Sequence, residues 1–267
     1  MMARSLRAVR LLAACLWLAG SPVAADVLGQ VTGLRDAATA AAETVEAAAW
    51  GEYVSGEGRD FFENHQDRLS TPWLYAAYAL SDRATLDAAW DYRFVDDERT
   101  GRANGPGDLR LAVQVQIQPA SWRTAAIAAR IGVKLPNADE TVGLGTNETD
   151  TNFSLLLATQ LAPHWRLLMD TGLEILGDPR EGAVQDDLLH LAAGIEGGAG
   201  GWLVRAGVAG REASNNGNDN LRITGAALHP ITHHLAWLVG GQTALGGLAA
   251  DWGVEVGFAW HSRETRW

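Results

Sequence analysis

The chain has one cysteine, Cys15, in 267 residues. With a single thiol no intramolecular disulfide can form. Basic residues are also short, 21 against 32 acidic, which argues against a nucleic-acid partner. Beyond residue 25 no run approaches the ~18 apolar residues that a membrane helix requires. That absence excludes helical spans only, because a strand of a membrane barrel needs about ten residues.

The first 25 residues do hold an apolar run. Arg4, Arg7 and Arg10 form a basic start, "LLAACLWLAG" follows, and "VAA" places small residues before Asp26. This is the pattern of a secretory signal peptide over residues 1–25, cleaved in the mature chain. "LAAC" resembles the lipobox of lipoproteins. However, only four residues separate Arg10 from Cys15, and the apolar run continues past the cysteine. Cleavage after Ala25 removes the cysteine and three arginines, leaving 18 basic residues against 32 acidic ones and a formal charge of −14.

The rest of the chain alternates. In "DLRLAVQVQIQ", Leu109, Leu111, Val113, Val115 and Ile117 fall on one face and Arg110, Gln114 and Gln116 on the other. A strand has period two, so this segment has one apolar and one polar side. Similar segments occupy 84–96, 123–135, 150–161, 165–176, 188–196, 202–211 and 251–261, with weaker ones at 72–81, 220–228 and 235–245. A twelfth, 45–54, follows the Ala-rich stretch "RDAATAAAETVEAAA", whose helical propensity leaves strand and periplasmic or plugging helix both open. Counting it as a strand gives an even number, as bacterial single-chain barrels have.

The connections alternate too. "SDR", "PAS", "APH", "EGGAGG" and "PITH" are short. "SGEGRDFFENHQDRLST", "DERTGRANGPG", "PNADETVGLGTNET", "GDPREGAVQ" and "EASNNGND" are longer and polar. Short periplasmic turns and long external loops produce this rhythm in membrane barrels. Trp165, Trp202 and Trp237 each open a strand after a short turn, and Trp260 closes the last one. All four share the apolar parity, as an aromatic girdle at the lipid interface demands. Trp122 has the opposite parity.

If the apolar faces meet lipid, the inward set is charged: Asp87, Asp91, Arg93, Arg110, Arg130, Lys134, Arg166, Asp170, Glu174, His190, Glu196, Arg205, Arg211, Arg222, Glu255 and His261. Arg93, Arg110, Arg130 and Lys134 lie on three consecutive strands towards the long-loop end, with Asp87 and Asp91 nearer the short turns. Two readings stand. These side chains select solutes by charge, or they form a mutually neutralised network that fills a narrow lumen. Under the first reading, pairing along one strand is incomplete and the spare cations attract anions.

The stretches "GPGDLRLAVQVQIQP" and "RIGVKLPNADETVGLGTNETDTNFSLLLATQL", with "MDTGLEILGD" as a weaker continuation, resemble the meta-pathway phenol-degradation family of outer-membrane proteins. Ala138 stands where that family usually has glycine. The resemblance covers mainly residues 105–161. It implies an outer-membrane barrel presumed to transport small molecules, often near aromatic catabolism.

Chemistry of other kinds finds little support. His261 and Ser262 are adjacent, but neighbours on a strand face opposite sides. His233–His234 has no acidic or cysteine partner nearby in sequence, and zinc requires three or four ligands. "GPGDL" and "TVGLGTNETD" lead into strands rather than helices and so form no phosphate cradle. "NNGNDN" lacks the spaced carboxylates of a calcium loop. No catalytic residue, metal site or cofactor is expected.

The sequence therefore predicts an all-β protein, a transmembrane antiparallel up-and-down β-barrel of about twelve strands over 43–267, after a periplasmic segment at 26–42. It predicts residence in the outer membrane of a Gram-negative cell. The expected partners are outer-membrane lipid, small-molecule solutes and the barrel-assembly machinery. The expected role is a channel for small solutes, organic acids or aromatic compounds. The alternatives are a barrel enzyme acting on lipid or peptide, and a structural barrel with a closed lumen.

Overall fold

The computed structural model describes residues 25–58, 65–98, 100–121, 124–177, 186–213 and 219–263; the signal peptide expected at 1–25 lies almost wholly outside them, as does Trp122. One short helix, α1 (Ala25–Thr32), precedes thirteen strands. These are β1 (Val45–Gly58), β2 (His65–Ser81), β3 (Ala84–Asp97), β4 (Gly101–Pro106), β5 (Leu109–Gln118), β6 (Ala126–Leu135) and β7 (Asp150–Ala162). Then follow β8 (Trp165–Leu176), β9 (Asp186–Ala199), β10 (Trp202–Ala213), β11 (Asn220–Pro230), β12 (Leu235–Gly247) and β13 (Trp252–His261).

Twelve strands close into an antiparallel ring. Each pairs with its neighbour in sequence, except that β3 pairs with β5, and β1 pairs with β13 to seal the wall. Closure leaves no edge strand in the ring, and so no row of unpaired backbone groups in a lipid environment. The doubtful segment 45–54 is strand, while 33–44 is neither helix nor strand. β4 stands outside the ring: it extends the β3 ladder at the long-loop end, Tyr92 to Pro106 through Asp97 to Gly101.

Facing follows the alternation. On β5, Ala112, Gln114 and Gln116 are buried while Val115 and Ile117 are exposed. β13 alternates without interruption from exposed Trp252 to buried His261. Leu74, Leu86, Phe94, Ile131, Phe153, Leu191, Ile223 and Val256 all stand exposed on the outer wall. An outer belt of large apolar side chains is what a bilayer requires and what water disfavours. In β2 the register shifts between Ser70 and Trp73, at Thr71–Pro72. The parity changes there, so Ser70 and Trp73 both face in. One short turn shows its chemistry directly. Gly200 (φ 59) and Gly201 (φ 83) both occupy the left-handed region, as a two-residue hairpin turn with native strand twist demands.

The short-turn half of the ring is not hollow. Residues 25–44 run through it before β1 begins. Val27 and Leu28 of α1 pack with Ala48, Trp50, Tyr75, Ala77, Ala226, Leu228, Ala236, Leu238 and Ala259. Leu34 and Ala37 pack with Ala126, Ala128, Leu156, Ala158, Leu168, Ala192 and Ala209 on the opposite wall. Val27, Leu28 and Leu34 are at most 1% exposed, each contributing about 1.5–3 kcal/mol by burial. The inward alanines make the room.

Candidate functional site

The candidate site is the lumen, built by inward side chains, the N-terminal segment and one loop. The segment is tied to the wall by polar contacts as well as apolar ones. The Gln114 amide donates to the carbonyls of Asp36 and Ala38, and Gln116 donates to that of Ala37. Thr224 Oγ1 donates to the Thr32 carbonyl at 2.9 Å, and Arg205 Nη1 to that of Leu34 at 2.7 Å. Arg35 reaches Asp170 at 3.3 Å. Arg166 donates to Asp36 and, with the same nitrogen, to Glu196, which also accepts from Arg205. Gly33 has φ 71, and the Arg222 guanidinium comes to 2.8 Å of where its Cβ would stand. Only glycine allows Arg222 to lie down on the segment there.

From the other end, the loop 136–149 folds inward. Asp108 Oδ1 accepts from the backbone amides of Asn137 and Ala138, each at 3.0 Å. Arg93 Nη1 donates to the Leu144 carbonyl at 2.6 Å. Ala138 and Leu144 bury against Val95. The stretch read as an external loop is therefore a partial cover over the β3–β6 side of the lumen.

The six side chains expected to govern selectivity all face inward, and the structure pairs them far more fully than the sequence suggested. Arg130 makes a bidentate contact with Asp87, at 2.5 and 2.8 Å, with both partners buried. Arg93 binds Asp91 at 2.7 Å, and Asp91 also accepts from Ser70 at 2.8 Å. Lys134 sits 2.5 Å from Asp150 and 2.8 Å from Thr146 Oγ1. The expected incomplete pairing is thus corrected. Arg93 pairs along its own strand, whereas Arg130 meets Asp87 across β5 and Lys134 meets Asp150 on β7 and Thr146 in the loop. Arg110 differs. Its closest carboxylate is Asp91 at 3.9 Å, its side chain is 40% exposed, and its guanidinium lies 5.0 Å over Trp73.

Sequence reasoning missed two further features. Trp50 and Trp73 stack inside the lumen, 5.1 Å apart and within 2° of parallel; the parity of Trp73 is hidden by the β2 bulge. Above them, Glu57 and Glu52 both bind Arg68, which also reaches Ser70. This links the β1–β2 carboxylates to the Asp91–Arg93 pair in one network.

Ser154, His190 and Asp170 lie close enough to resemble a hydrolytic trio. Yet Ser154 Oγ (3.1 Å) and Asp170 Oδ1 (3.0 Å) both meet the same ring nitrogen, Nε2. A base that is oriented by one nitrogen must activate the nucleophile with the other, so this trio has no relay. His261 Nδ1 is hydrogen-bonded with the Arg263 carbonyl, and Ser262 Oγ accepts from Val45 N. Among the described residues no group of three or more His, Cys, Asp or Glu could hold a metal. Most of "NNGNDN" lies outside those residues.

Trp202, Trp237 and Trp260 stand exposed on the outer wall at the short-turn rim, with Trp165 partly covered beside them. Trp237 packs on Phe258 at 4.4 Å.

No family model matches the chain, and no curated protein matches it by sequence. Solved structures do. An outer membrane channel from Pseudomonas putida F1 superposes with a TM-score of 0.65 at 13% identity, over 85% of this chain and 98% of that one. The translocator domain of the autotransporter NalP from Neisseria meningitidis gives 0.51 at 11% identity, over 81% and 88%. The CymD monoaromatic hydrocarbon channel gives 0.50 at 9% identity, over 90% and 97%. At these identities the likeness is one of fold: the chain has the architecture of outer-membrane β-barrels.

Proposed function

We propose that the barrel passes small solutes across the outer membrane, and that the charged long-loop half of the lumen selects among them. The observation that carries this reading is the closed twelve-strand ring with lipid-suited residues outside and ionised side chains inside. A ring of inward charges discriminates ions at close range. Arg110 is the selecting cation in this reading, because its side chain is 40% exposed and its nearest carboxylate, Asp91, stands 3.9 Å away. Arg93, Arg130, Lys134, Asp87 and Asp91 hold the wall around it. The solutes are small organic acids or aromatic compounds. The family resemblance, the CymD likeness and the Trp50–Trp73 stack support the aromatic class. Trp165, Trp202, Trp237 and Trp260 form the girdle at the periplasmic interface. The signal peptide and the barrel-assembly machinery deliver the chain.

A closed structural barrel is the second reading, favoured by the filling of the short-turn half by residues 25–44. Planar bilayers separate the two. Discrete conductance steps support passage, and silence supports the closed barrel; silence with hydrolysis of lipid or peptide would favour an enzyme. Under a salt gradient, Arg110→Gln should move the reversal potential towards cations. An unchanged potential would make Arg110 structural and end the charge-filter idea.

A further inference from the structure

We infer that residues 25–42 are a displaceable plug, an autoinhibitory segment held in a wall whose buried ionic groups each keep a wall partner when the segment leaves. The inference rests on the passage reading above. The segment fills the short-turn half of the lumen through Val27, Leu28, Leu34 and Ala37, so a solute moving between the rims meets it.

The case for displacement lies in the wiring of the contacts. Burying an ion without its partner is strongly unfavourable, so a plug that supplied the sole partner of a wall charge would be locked in. Here the buried ionic wall groups bound to the segment have second partners on the wall, with Glu196 serving both Arg166 and Arg205. Arg166 loses Asp36 but keeps Glu196. Arg205 loses the Leu34 carbonyl and keeps Glu196. Asp170 loses Arg35 and keeps His190 at 3.0 Å. The buried groups left single are neutral ones, the Gln114 and Gln116 amides and the Thr224 hydroxyl, while Asp82 and Arg263, which bind Ala42, stand exposed at the rim. Water entering the vacated space can serve these.

The lining fits the same role. The wall facing the segment is alanine-rich, with Ala48, Ala77, Ala126, Ala128, Ala158, Ala192, Ala226, Ala236 and Ala259 turned inward. Such small side chains leave a wide passage once the segment is gone. The barrel itself does not depend on the segment for closure, because no strand pairs with residues 25–42; only Glu43 and Thr44, next to β1, bond to the Ala79 backbone of β2.

The test is conductance of the full chain with cysteines introduced by Thr32→Cys and Thr224→Cys, bridged by a short reagent that a reductant cleaves. The bridged form should conduct at least ten-fold less than the same protein after reduction. A variant lacking 26–42, its folding checked by heat-modifiable gel mobility, should conduct several-fold more than the parent. If that variant does not fold, the bridged and reduced forms of the full chain decide alone. Equal conductance of verified bridged and reduced forms overturns the plug while leaving solute passage intact. Silence of every form, including a folded deletion, overturns the passage reading and the plug with it.

Discussion

One residue of β5 and its neighbour measure the two environments of the wall. Val113 lies outward between Leu86 and Ile131, so Val113→Arg should destabilise the barrel by roughly 2–4 kcal/mol near the bilayer midplane. Gln114 lies inward and is 2% exposed, with its amide on two plug carbonyls. Inward parity leaves water or buried polar contact open for Gln114; the structure gives the second, the backbone of residues 36–38. Gln114→Ala should therefore cost about 1–3 kcal/mol, from two hydrogen bonds of ~0.5–1.5 kcal/mol each. Folding titrations into lipid vesicles measure both losses. Spin labels separate their causes. A label at Val113 should be reached by dissolved oxygen from the lipid, and one at Gln114 neither by oxygen nor by an aqueous relaxant. Aqueous access at Val113 equal to that of a loop residue would overturn the outward assignment.

Between elements, the contact that joins β3 to β6 across β5 is the buried Asp87–Arg130 pair. Removing one partner of such a pair typically costs about 3–5 kcal/mol, whereas replacing both with apolar groups of similar volume is often neutral. Arg130→Met should accordingly destabilise strongly, and adding Asp87→Leu should recover most of the loss in denaturant titrations from vesicles. Additive losses in the double variant would show that the two side chains do not act as a pair. At this scale the sequence was legible where alternation is strict. The inward parity of Asp87, Arg110, Arg130, Asp170, Glu196, Arg205 and Glu255 follows from period two alone, and so does the outward parity of the rim tryptophans. It was illegible where a partner comes from elsewhere in the chain. The Arg130–Asp87 pairing depends on register between strands. The inward fold of 136–149 depends on Asp108 capturing two loop amides. A signal for the plug does exist. Near the short turns Ala126, Ala128, Ala158, Ala236 and Ala259 stand inward among the charged Arg166, Glu196 and Arg205, and these small side chains leave the room that residues 25–44 fill. Attention to the polar inward residues alone overlooks it. The helix sits at 25–32 rather than in the alanine-rich stretch after it, because Leu34 and Ala37 bury against the wall and Gln114 and Gln116 take the backbone carbonyls of residues 36–38.

For the whole molecule, the outer wall fixes how the barrel sits in a bilayer. β13 carries Trp252 at its long-loop end and Trp260 at its short-turn end, both outward and more than 40% exposed. Val254, Val256 and Phe258 stand between them on the same face. Eight residues of strand at ~3.4 Å each, tilted by ~40°, separate the two indoles by about 20 Å along the membrane normal. That is slightly less than the ~25 Å apolar band of such barrels, so on the girdle proposal each ring should lie just inside an interface, where its N–H can reach headgroups. Tyr53 packs on Trp252 at 5.3 Å, and Tyr92 on Phe94 at 5.4 Å, which gives the long-loop rim its own aromatic set. Three single-tryptophan variants in vesicles of brominated lipid test this placement, one retaining Trp252, one retaining Trp260 and one carrying Val256→Trp. Bromines near the headgroups should quench the first two most, and bromines deep in the acyl chains should quench the third. A variant retaining only the lumenal Trp50 should be quenched by neither lipid. Stronger quenching of Trp260 by deep bromines than by shallow ones would place the short-turn rim inside the bilayer, and the girdle assignment would fail.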